Sequence, residues 1–331
     1  MMQENKIIGY TTGVFDMLHK GHINLLKKSS NQCDYLIVGL TTDSLCKYIK
    51  YKNPIENFNK RKQKILELEF VDEVIEQSNM NKLEKCIEIG ANKVFVGDDW
   101  KGTKEWNEYE SQLSKHNIKT IYLPYTEGIS STMIRETIYL DFYNNINEKF
   151  HSFFNYNLFF IGGNLLSFIR NGNILSADPK DIDVAYLSKY TNVCDVKKEY
   201  IEILKSLQQK GENVQYKTIH NVYRTGYFWW VKDKDVRVDI MVYWYEKGKL
   251  YRATFVDYTA EIDTILPLKR TSIHGKYIWL PNKPEKVLVG EFGETWRIPD
   301  KDFIKRSSDD FRKKIKGLCL NNQDINYINN K

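Results

Sequence analysis

The segment from Gly13 to His22, which reads Gly-Val-Phe-Asp-Met-Leu-His-Lys-Gly-His, constrains the fold of this chain more than any other. An apolar run before it predicts a β-strand, and the pattern after it predicts an amphipathic helix. His19 and His22 therefore lie where a strand ends and a helix begins, and Gly21 lets the backbone approach a ligand closely. Unpaired N–H groups at a helix start attract phosphate, and imidazoles there can stabilise phosphoryl charge. We expect a phosphate site; the alternative is two histidines on an exposed helical turn.

Three further segments follow in a fixed order: Val71-Asp-Glu-Val-Ile75, Val96-Gly-Asp-Asp-Trp100 and Tyr122-Leu-Pro-Tyr-Thr-Glu-Gly-Ile-Ser-Ser-Thr132. Together with the first segment they resemble the cytidylyltransferase family over residues 5 to 140, and above all its glycerol-3-phosphate branch. The resemblance implies CTP and a small phospho-alcohol as substrates, with His19 and His22 as catalytic residues. It also implies these nucleotide ligands: Gly13, Val14, Phe15, Asp16, Gly21, Lys52, Asp99, Thr126, Gly128, Ile129, Ser130, Ser131 and Thr132. For the last three, helix capping alone is the alternative role.

Two positions depart from the family pattern. The family usually has arginine where this chain has Tyr125, and arginine again near the place of Glu69. Because arginine binds phosphate with two parallel hydrogen bonds, these changes weaken the assignment of the phospho-alcohol but not that of the nucleotide. Lys50, Lys52 and Arg61 are candidate phosphate ligands in their place, although lysines in a loop are often only solvated.

Composition sets the outer limits. The chain has 331 residues, 42% hydrophobic and 14% aromatic, which is enough for two packed domains. A net charge of +6 fits a protein that handles anionic nucleotides but gives no argument for nucleic-acid binding. Five scattered cysteines without a C-x-x-C pair favour reduced thiols, so we expect a cytoplasmic protein. We also expect no secretory signal and no membrane span.

The apolar pattern divides the chain in two. Up to about residue 140, short apolar runs alternate with helical stretches, which predicts an α/β domain with a Rossmann-like, doubly wound parallel sheet. Residues 141–154 show no strong period and several turn formers, which predicts a linker. Residues 155–331 form the second predicted domain. The strands expected in the first domain are Lys6–Thr11, Tyr35–Leu40, Glu73–Ile75, Lys93–Gly97 and Thr120–Leu123.

A second candidate site lies in the second domain. Gly162 and Gly163 follow a predicted strand and open a helix. Asp181 and Asp183 alternate along a later strand, so their side chains share one face, and Asp239 lies on another alternating strand that could run beside it. Two neighbouring carboxylates repel unless a cation lies between them, and this layout is typical of Mg²⁺ (or Mn²⁺) held with substrate phosphates. The alternatives are a solvated strand face and a tight Gly-Gly turn.

This order of elements resembles the α+β nucleotidyltransferase fold, and within it the LicD/fukutin family. The matching segments begin at Gly162, Lys180, Ile265 and Val289. The resemblance implies that a phosphorylated alcohol is transferred from a CDP-linked donor to a glycan or lipid-linked glycan, with CMP released. It implies Asp181, Asp183 and Asp239 as catalytic metal ligands and Gly162, Gly163, Arg170 and Arg297 as substrate ligands. For the two arginines, a surface or structural role is the alternative.

The sequence leaves three readings of the second domain open. It could be an active transferase, an inactive docking module for a glycan-assembly complex, or a nucleotidyltransferase that acts on RNA or small nucleotides. No basic, aromatic face supports the third reading. A homodimer also stays open.

Overall fold

A computed structural model describes residues 6–50, 54–174, 181–216, 226–232, 236–252, 260–300 and 316–329. The chain divides into two compact units, Met1–Arg135 and Glu136–Lys331. No helix in these described ranges is both long and apolar enough to cross a membrane.

The first unit contains a five-stranded parallel sheet with the strand order β3-β2-β1-β4-β5. The order reverses between β1 and β4, and ligands in doubly wound folds bind at the carboxyl edge near such a reversal. The predicted sheet is therefore confirmed, with strand ends that shift by one or two residues. The strands are β1 Ile8–Gly13, β2 Tyr35–Thr41, β3 Glu73–Gln77, β4 Lys93–Gly97 and β5 Lys119–Leu123.

Helices cover both faces of this sheet. Alternate residues of β2 point to opposite sides, so Leu36 and Val38 join one apolar cluster and Ile37 joins the other. Each fully buried aliphatic side chain of this kind contributes roughly 1.5–3 kcal/mol. The helices of this unit are α1 Lys20–Ser30, α2 Asp43–Lys50, α3 Phe58–Leu66, α4 Lys82–Glu88 and α5 Lys104–Ser114, and α6 Ser131–Phe154 begins here and continues into the second unit.

Residues 141–154, predicted as a linker between the two domains, are helical. They form the second part of α6. Tyr143, Ile146 and Phe150 recur at helical spacing and are buried in the apolar core of the second unit. That packing outweighs the turn preference of the intervening asparagines, which obscure the apolar spacing in the sequence.

The second unit contains a six-stranded mixed sheet with the path β6-β7-β10-β9-β8, and β11 also pairs with β10. β7 and β10 run parallel; the other pairings are antiparallel. The strands are β6 Phe159–Phe160, β7 Asp181–Leu187, β8 Val214–Tyr216, β9 Tyr227–Val231, β10 Arg237–Glu246 and β11 Lys249–Arg252, and a separate hairpin joins β12 Lys269–Ile273 to β13 Lys276–Leu280. The helices are α7 Gly162–Asn171, α8 Val193–Gln209, α9 Pro284–Phe292 and α10 Asn322–Asn329.

Two candidate active sites

His19 and His22 lie at the junction of β1 and α1, where the sequence placed them. His19 is the N-cap residue of α1, with an extended backbone, and its Nδ1 accepts a hydrogen bond from the backbone N–H of Gly21 at 3.1 Å. The two imidazole rings stack with centroids 3.7 Å apart and planes 25° apart. The pair therefore forms one preorganised surface at the carboxyl edge of the sheet.

The hydrogen bonds around His19 define its tautomer. Because Gly21 donates to Nδ1, the neutral ring carries its proton on Nε2. Nε2 lies 3.3 Å from Ser131 Oγ, and this hydroxyl donates in turn to the carbonyl oxygen of Asp16 at 3.1 Å. Burial lowers the pKa of His19 below its usual value of 6.5. His19 is thus a neutral donor at neutral pH, joined to the start of α6 through Ser131.

This arrangement predicts the pH dependence of nucleotide transfer. We expect kcat/KM for CDP-alcohol formation to fall on the acid side with a midpoint below 6.5, because a protonated His19 can no longer accept the Gly21 N–H. Activity measured from about pH 5 to 8, beside an NMR titration of the His19 ring, checks this. Activity that increases as the pH falls through 6.5 would contradict the neutral-donor assignment.

Asp16 connects the segment between β1 and α1 to two other parts of the first unit. Its carboxylate accepts hydrogen bonds from the backbone N–H groups of Ile55 at 2.9 Å and Glu56 at 3.0 Å. It also forms a buried ion pair with the Arg135 guanidinium at 3.1 Å. A carboxylate with these partners holds the loop and α6 in place, so the structure favours a positioning role over the predicted direct nucleotide contact.

Arg61 also differs from its predicted role as a phosphate ligand. The side chain is fully buried in α3. Its Nη1 donates to the carbonyl oxygen of Val14 at 2.5 Å, and its Nη2 donates to that of Thr41 at 2.9 Å. Nε donates to the Glu56 carbonyl at 2.9 Å, and Nη2 also pairs with Asp43 at 2.6 Å. Arg61 therefore fixes the backbone of the Gly13–His22 segment from inside the fold and is not presented to a substrate.

The segment before α6 contacts α1. The Thr126 hydroxyl accepts a hydrogen bond from the Asn24 side-chain amide at 3.3 Å. Ser130 Oγ accepts from the backbone N–H of Met133 at 3.1 Å, which is the capping role named as the alternative for this hydroxyl. Ser131 instead contacts His19, so the starts of α1 and α6 adjoin. The remaining predicted nucleotide ligands here, Gly128, Ile129 and Thr132, are exposed or half-buried.

Phe15 supports the second histidine. Its backbone has a φ of +49°, its side chain is buried, and its ring meets that of His22 edge-on with centroids 5.2 Å apart. A Cβ on residue 13 would lie 3.1 Å from the same ring, so the position of the Phe15 ring requires glycine or a small shift there.

Asp99 lies after β4, with its carboxylate folded over Gly97. Lys52 and the side chain of Lys50 lie outside the described residues.

The three predicted carboxylates of the second unit lie on one face of two neighbouring strands, as expected from the strand pattern. Asp181 and Asp183 lie on the same face of β7. Asp239 on β10 is the register partner of Asp183, in the parallel pair at the centre of the sheet. The layout of the strands is therefore confirmed, while the metal role of the carboxylates stays a prediction.

Arg237, which was not predicted as a site residue, lies between two of these carboxylates. Arg237 Nη2 is 2.8 Å from Asp181 Oδ2, and its Nε is 2.9 Å from Asp239 Oδ1. The Tyr227 hydroxyl donates to the other oxygen of Asp239 at 2.8 Å. Burial, with the charge of Asp181, raises the pKa of Asp239 to about 6, although Tyr227 and Arg237 oppose the shift. The signal was available, because Arg237 precedes Asp239 by two positions and so shares its face.

The three aspartates have the chemistry that a divalent metal needs, but their present arrangement does not form a complete metal site. Carboxylate oxygens are the ligands that Mg²⁺ and Mn²⁺ prefer, and three of them share one sheet face here. Within the described ranges, however, no three such side chains are assembled around one point. The guanidinium of Arg237 contacts the oxygens of Asp181 and Asp239 that a metal would use.

Gly162 allows the close approach of Asp183 to α7. Its φ is +58°, and a Cβ at this position would lie 2.9 Å from Asp183 Oδ2. Asn164 Oδ1 accepts the backbone N–H of Asp183 at 2.8 Å, and the N–H of Ile161 donates to the Asp183 carbonyl at 3.1 Å. The Gly-Gly pair, in which Gly163 is half-buried, is therefore more than a turn, because it brings a helix start against a carboxylate.

Arg170 and Arg297, predicted as substrate ligands, both have local partners that fit the alternative of a structural or surface role. Arg170 lies in the last turn of α7, roughly 12 Å along the helix from its start, and donates to the Ile298 carbonyl at 3.2 Å. Arg297 pairs with Glu285 at 3.2 Å and stacks on the Trp296 ring. Contact of either arginine with a substrate stays a prediction.

Comparison with known proteins gives a separate family match for each of the two units. Residues 10–137 match the cytidylyltransferase-like family, and residues 155–283 match the nucleotidyltransferase domain described as LicD/FKTN/FKRP. The glycerol-3-phosphate cytidylyltransferase of Staphylococcus aureus (strain NCTC 8325 / PS 47) is 38% identical, over 39% of this chain and 92% of its own length. The corresponding Bacillus subtilis (strain 168) protein is 37% identical, over 40% of this chain and 96% of its own.

A solved structure is similar over the same length of chain. The lipopolysaccharide core biosynthesis protein from Thermoplasma volcanium GSS1 is 32% identical, over 37% of this chain and 97% of its own, with a TM-score of 0.32. The sequence relatives and the two sites lead to one conclusion. The chain belongs to the cytidylyltransferase-like family through its first unit and carries a LicD/FKTN/FKRP nucleotidyltransferase domain in its second.

Proposed function

We propose that the first unit makes a CDP-alcohol from CTP and a small phospho-alcohol. A phosphate oxygen of the alcohol attacks the α-phosphorus of CTP, the bond to the β-phosphate breaks, and pyrophosphate leaves. The observation that carries this proposal is the stacked His19–His22 pair, connected through Ser131 to the start of α6. The pair follows β1, at the edge of the sheet where the strand order reverses and where a triphosphate can bind.

Glycerol 3-phosphate is the first choice of alcohol, followed by ribitol 5-phosphate or another small phospho-alcohol. The names of the relatives from Staphylococcus and Bacillus support the first choice. Tyr125 and Glu69 argue for a wider choice, since both are exposed and neither offers a cation to phosphate. Lys82 is a further candidate to replace the missing arginines as a phosphate ligand. Its Nζ lies 4.6 Å from the centre of the Trp106 ring and 5.1 Å from that of Tyr109.

The choice of alcohol can be tested directly. We expect the wild type to use at least one other phospho-alcohol as well as glycerol 3-phosphate. Tyr125→Arg combined with Glu69→Arg should raise the preference for glycerol 3-phosphate about tenfold, because each arginine adds a charge-assisted contact. Tyr125→Phe is the matched control that adds no charge. The measurement is kcat/KM for a panel of phospho-alcohols with CTP, with products identified by mass; an exclusive preference of the wild type for glycerol 3-phosphate would contradict the expectation.

We propose further that the second unit transfers the phospho-alcohol from its CDP-linked form to a glycan or lipid-linked glycan and releases CMP. Asp181, Asp183 and Asp239 would hold Mg²⁺ or Mn²⁺, which neutralises charge on the donor phosphates. The family match and the shared face of the three carboxylates support this proposal. Covalent linkage of the two units would raise the local concentration of the donor. Use of CTP, with cysteines that form no disulfides, suits a cytoplasmic reaction.

The docking-module alternative also has an observation in its favour. The Arg237 guanidinium neutralises Asp181 and Asp239, as it would in a domain that keeps its fold without a metal. Release of CMP from a supplied CDP-alcohol, with and without a glycan acceptor, distinguishes the two. An active transferase releases CMP in a metal-dependent manner, whereas a docking module releases none.

A further inference from the structure

Arg237 lies between two of the three predicted carboxylates, Asp181 and Asp239. It is the register partner of Asp181 across the parallel pair β7–β10, and it lies two residues before Asp239 on the same strand. Its Nη2 contacts both carboxylates, at 2.8 Å to Asp181 Oδ2 and 3.4 Å to Asp239 Oδ2. One cationic group thus connects two acidic side chains on neighbouring strands.

The carboxylates need a cation for their present arrangement. The side chains of Asp181 and Asp239 are 14% and 5% exposed, so water screens their mutual repulsion poorly. Asp183, the register partner of Asp239, adds a third acidic group to the same face. The Tyr227 hydroxyl satisfies one oxygen of Asp239 but carries no positive charge. Arg237 is the cation that the described residues provide for both.

A divalent metal would require the same atoms. Asp181 Oδ2 and Asp239 Oδ1 are the oxygens that accept hydrogen bonds from Arg237. A metal ion among the three carboxylates needs their lone pairs and is repelled by a guanidinium in direct contact with them. The Arg237 side chain is 41% exposed, so it can swing toward solvent without opening the core. Exchange between the two cations therefore needs only a side-chain rotation.

We propose that Arg237 is a resident counter-ion that a divalent metal displaces, and that it thereby sets the metal affinity of the second unit. The inference rests on the proposed metal-dependent function of this unit. Arg237 is a positioning residue in this scheme: it keeps Asp181 and Asp239 directed toward one point while the metal is away. It also makes metal binding weaker than three carboxylates alone would give.

The test measures Mn²⁺ binding to the full chain, with the concentration of the free ion determined by electron paramagnetic resonance. Arg237→Gln should bind Mn²⁺ at least about fivefold more tightly than the wild type, because the competing charge is gone. Without metal its melting temperature should be lower, and Mn²⁺ should raise it more than in the wild type. Arg270→Gln, which removes an exposed arginine stacked on Tyr277, is the matched control and should change neither value. Asp181→Asn shows how much binding belongs to this site.

Equal or weaker Mn²⁺ binding by Arg237→Gln would overturn the inference. If that variant does not fold, Arg237→Lys, which keeps a charge but loses the forked contact, should still bind Mn²⁺ more tightly than the wild type. In the wild type, the Nε–H resonance of Arg237 should shift when Mg²⁺ is added, and a resonance that stays in place would also overturn it. If no variant binds Mn²⁺, the metal in the proposed function fails as well. If Mn²⁺ binds with the same affinity whether or not Arg237 is present, only the proposed exchange fails and the metal in the proposed function stands.

Discussion

Replacement of His22 by alanine should lower CDP-alcohol formation by at least about two orders of magnitude while the fold is kept, and His19→Ala should do the same. Each change removes a preorganised group from the place where charge develops on the α-phosphoryl group, an effect of about 3–4 kcal/mol in comparable anion sites. The measurement is the rate of pyrophosphate and CDP-alcohol release from CTP.

The two histidines need different controls. His19 also accepts the Gly21 N–H as the N-cap of α1, so alanine there removes about 1 kcal/mol of helix stability as well. His19→Asn keeps a capping oxygen but loses the Nε2 donor, so it separates the two effects. His116→Ala, at an exposed position of the same unit, controls for histidine loss in general. Near-normal turnover in His22→Ala or His19→Asn would contradict the phosphate-site interpretation.

The parts of both sites that the sequence predicted depend on short-range geometry. A strand followed directly by a helix places His19 and His22 at one edge, and alternation along β7 places Asp181 and Asp183 on one face. The structure changes none of this, because the two periods follow from backbone geometry rather than from the packing of distant elements.

The parts that it missed depend on contacts between distant residues. Arg61 looked like a surface cation at a helix start, yet its acceptors include the carbonyl groups of Val14 and Thr41, 47 and 20 positions away. No local pattern shows that the backbone at Val14, Thr41 and Glu56 converges on one guanidinium. Arg237 is the opposite case, because its place two residues before Asp239 was visible in the alternation. Its role was not predicted because a guanidinium is not a metal ligand, whereas the acidic residues are.

Single carboxylate changes should separate the two activities. Asp183→Asn is expected to reduce CMP release from a supplied CDP-alcohol by about two orders of magnitude and to leave CTP-dependent synthesis unchanged. Asparagine keeps the size of the side chain but removes a charge that a divalent metal needs. Asp181→Asn and Asp239→Asn should act likewise, and Asp195→Asn, at a half-buried position in the first turn of α8, is the matched control.

The converse experiment uses the first unit. His22→Ala should stop synthesis from CTP, yet a supplied CDP-alcohol should restore transfer to a glycan acceptor, because the carboxylates belong to the second unit and need no imidazole from the first. The measurement is CMP release, with and without acceptor, in His22→Ala and the three aspartate variants. Undiminished CMP release in Asp183→Asn would remove the carboxylates from the mechanism. No CMP release by the wild type with any CDP-alcohol and acceptor would instead favour the docking module, and the neutralised pair around Arg237 would then be its resting structure.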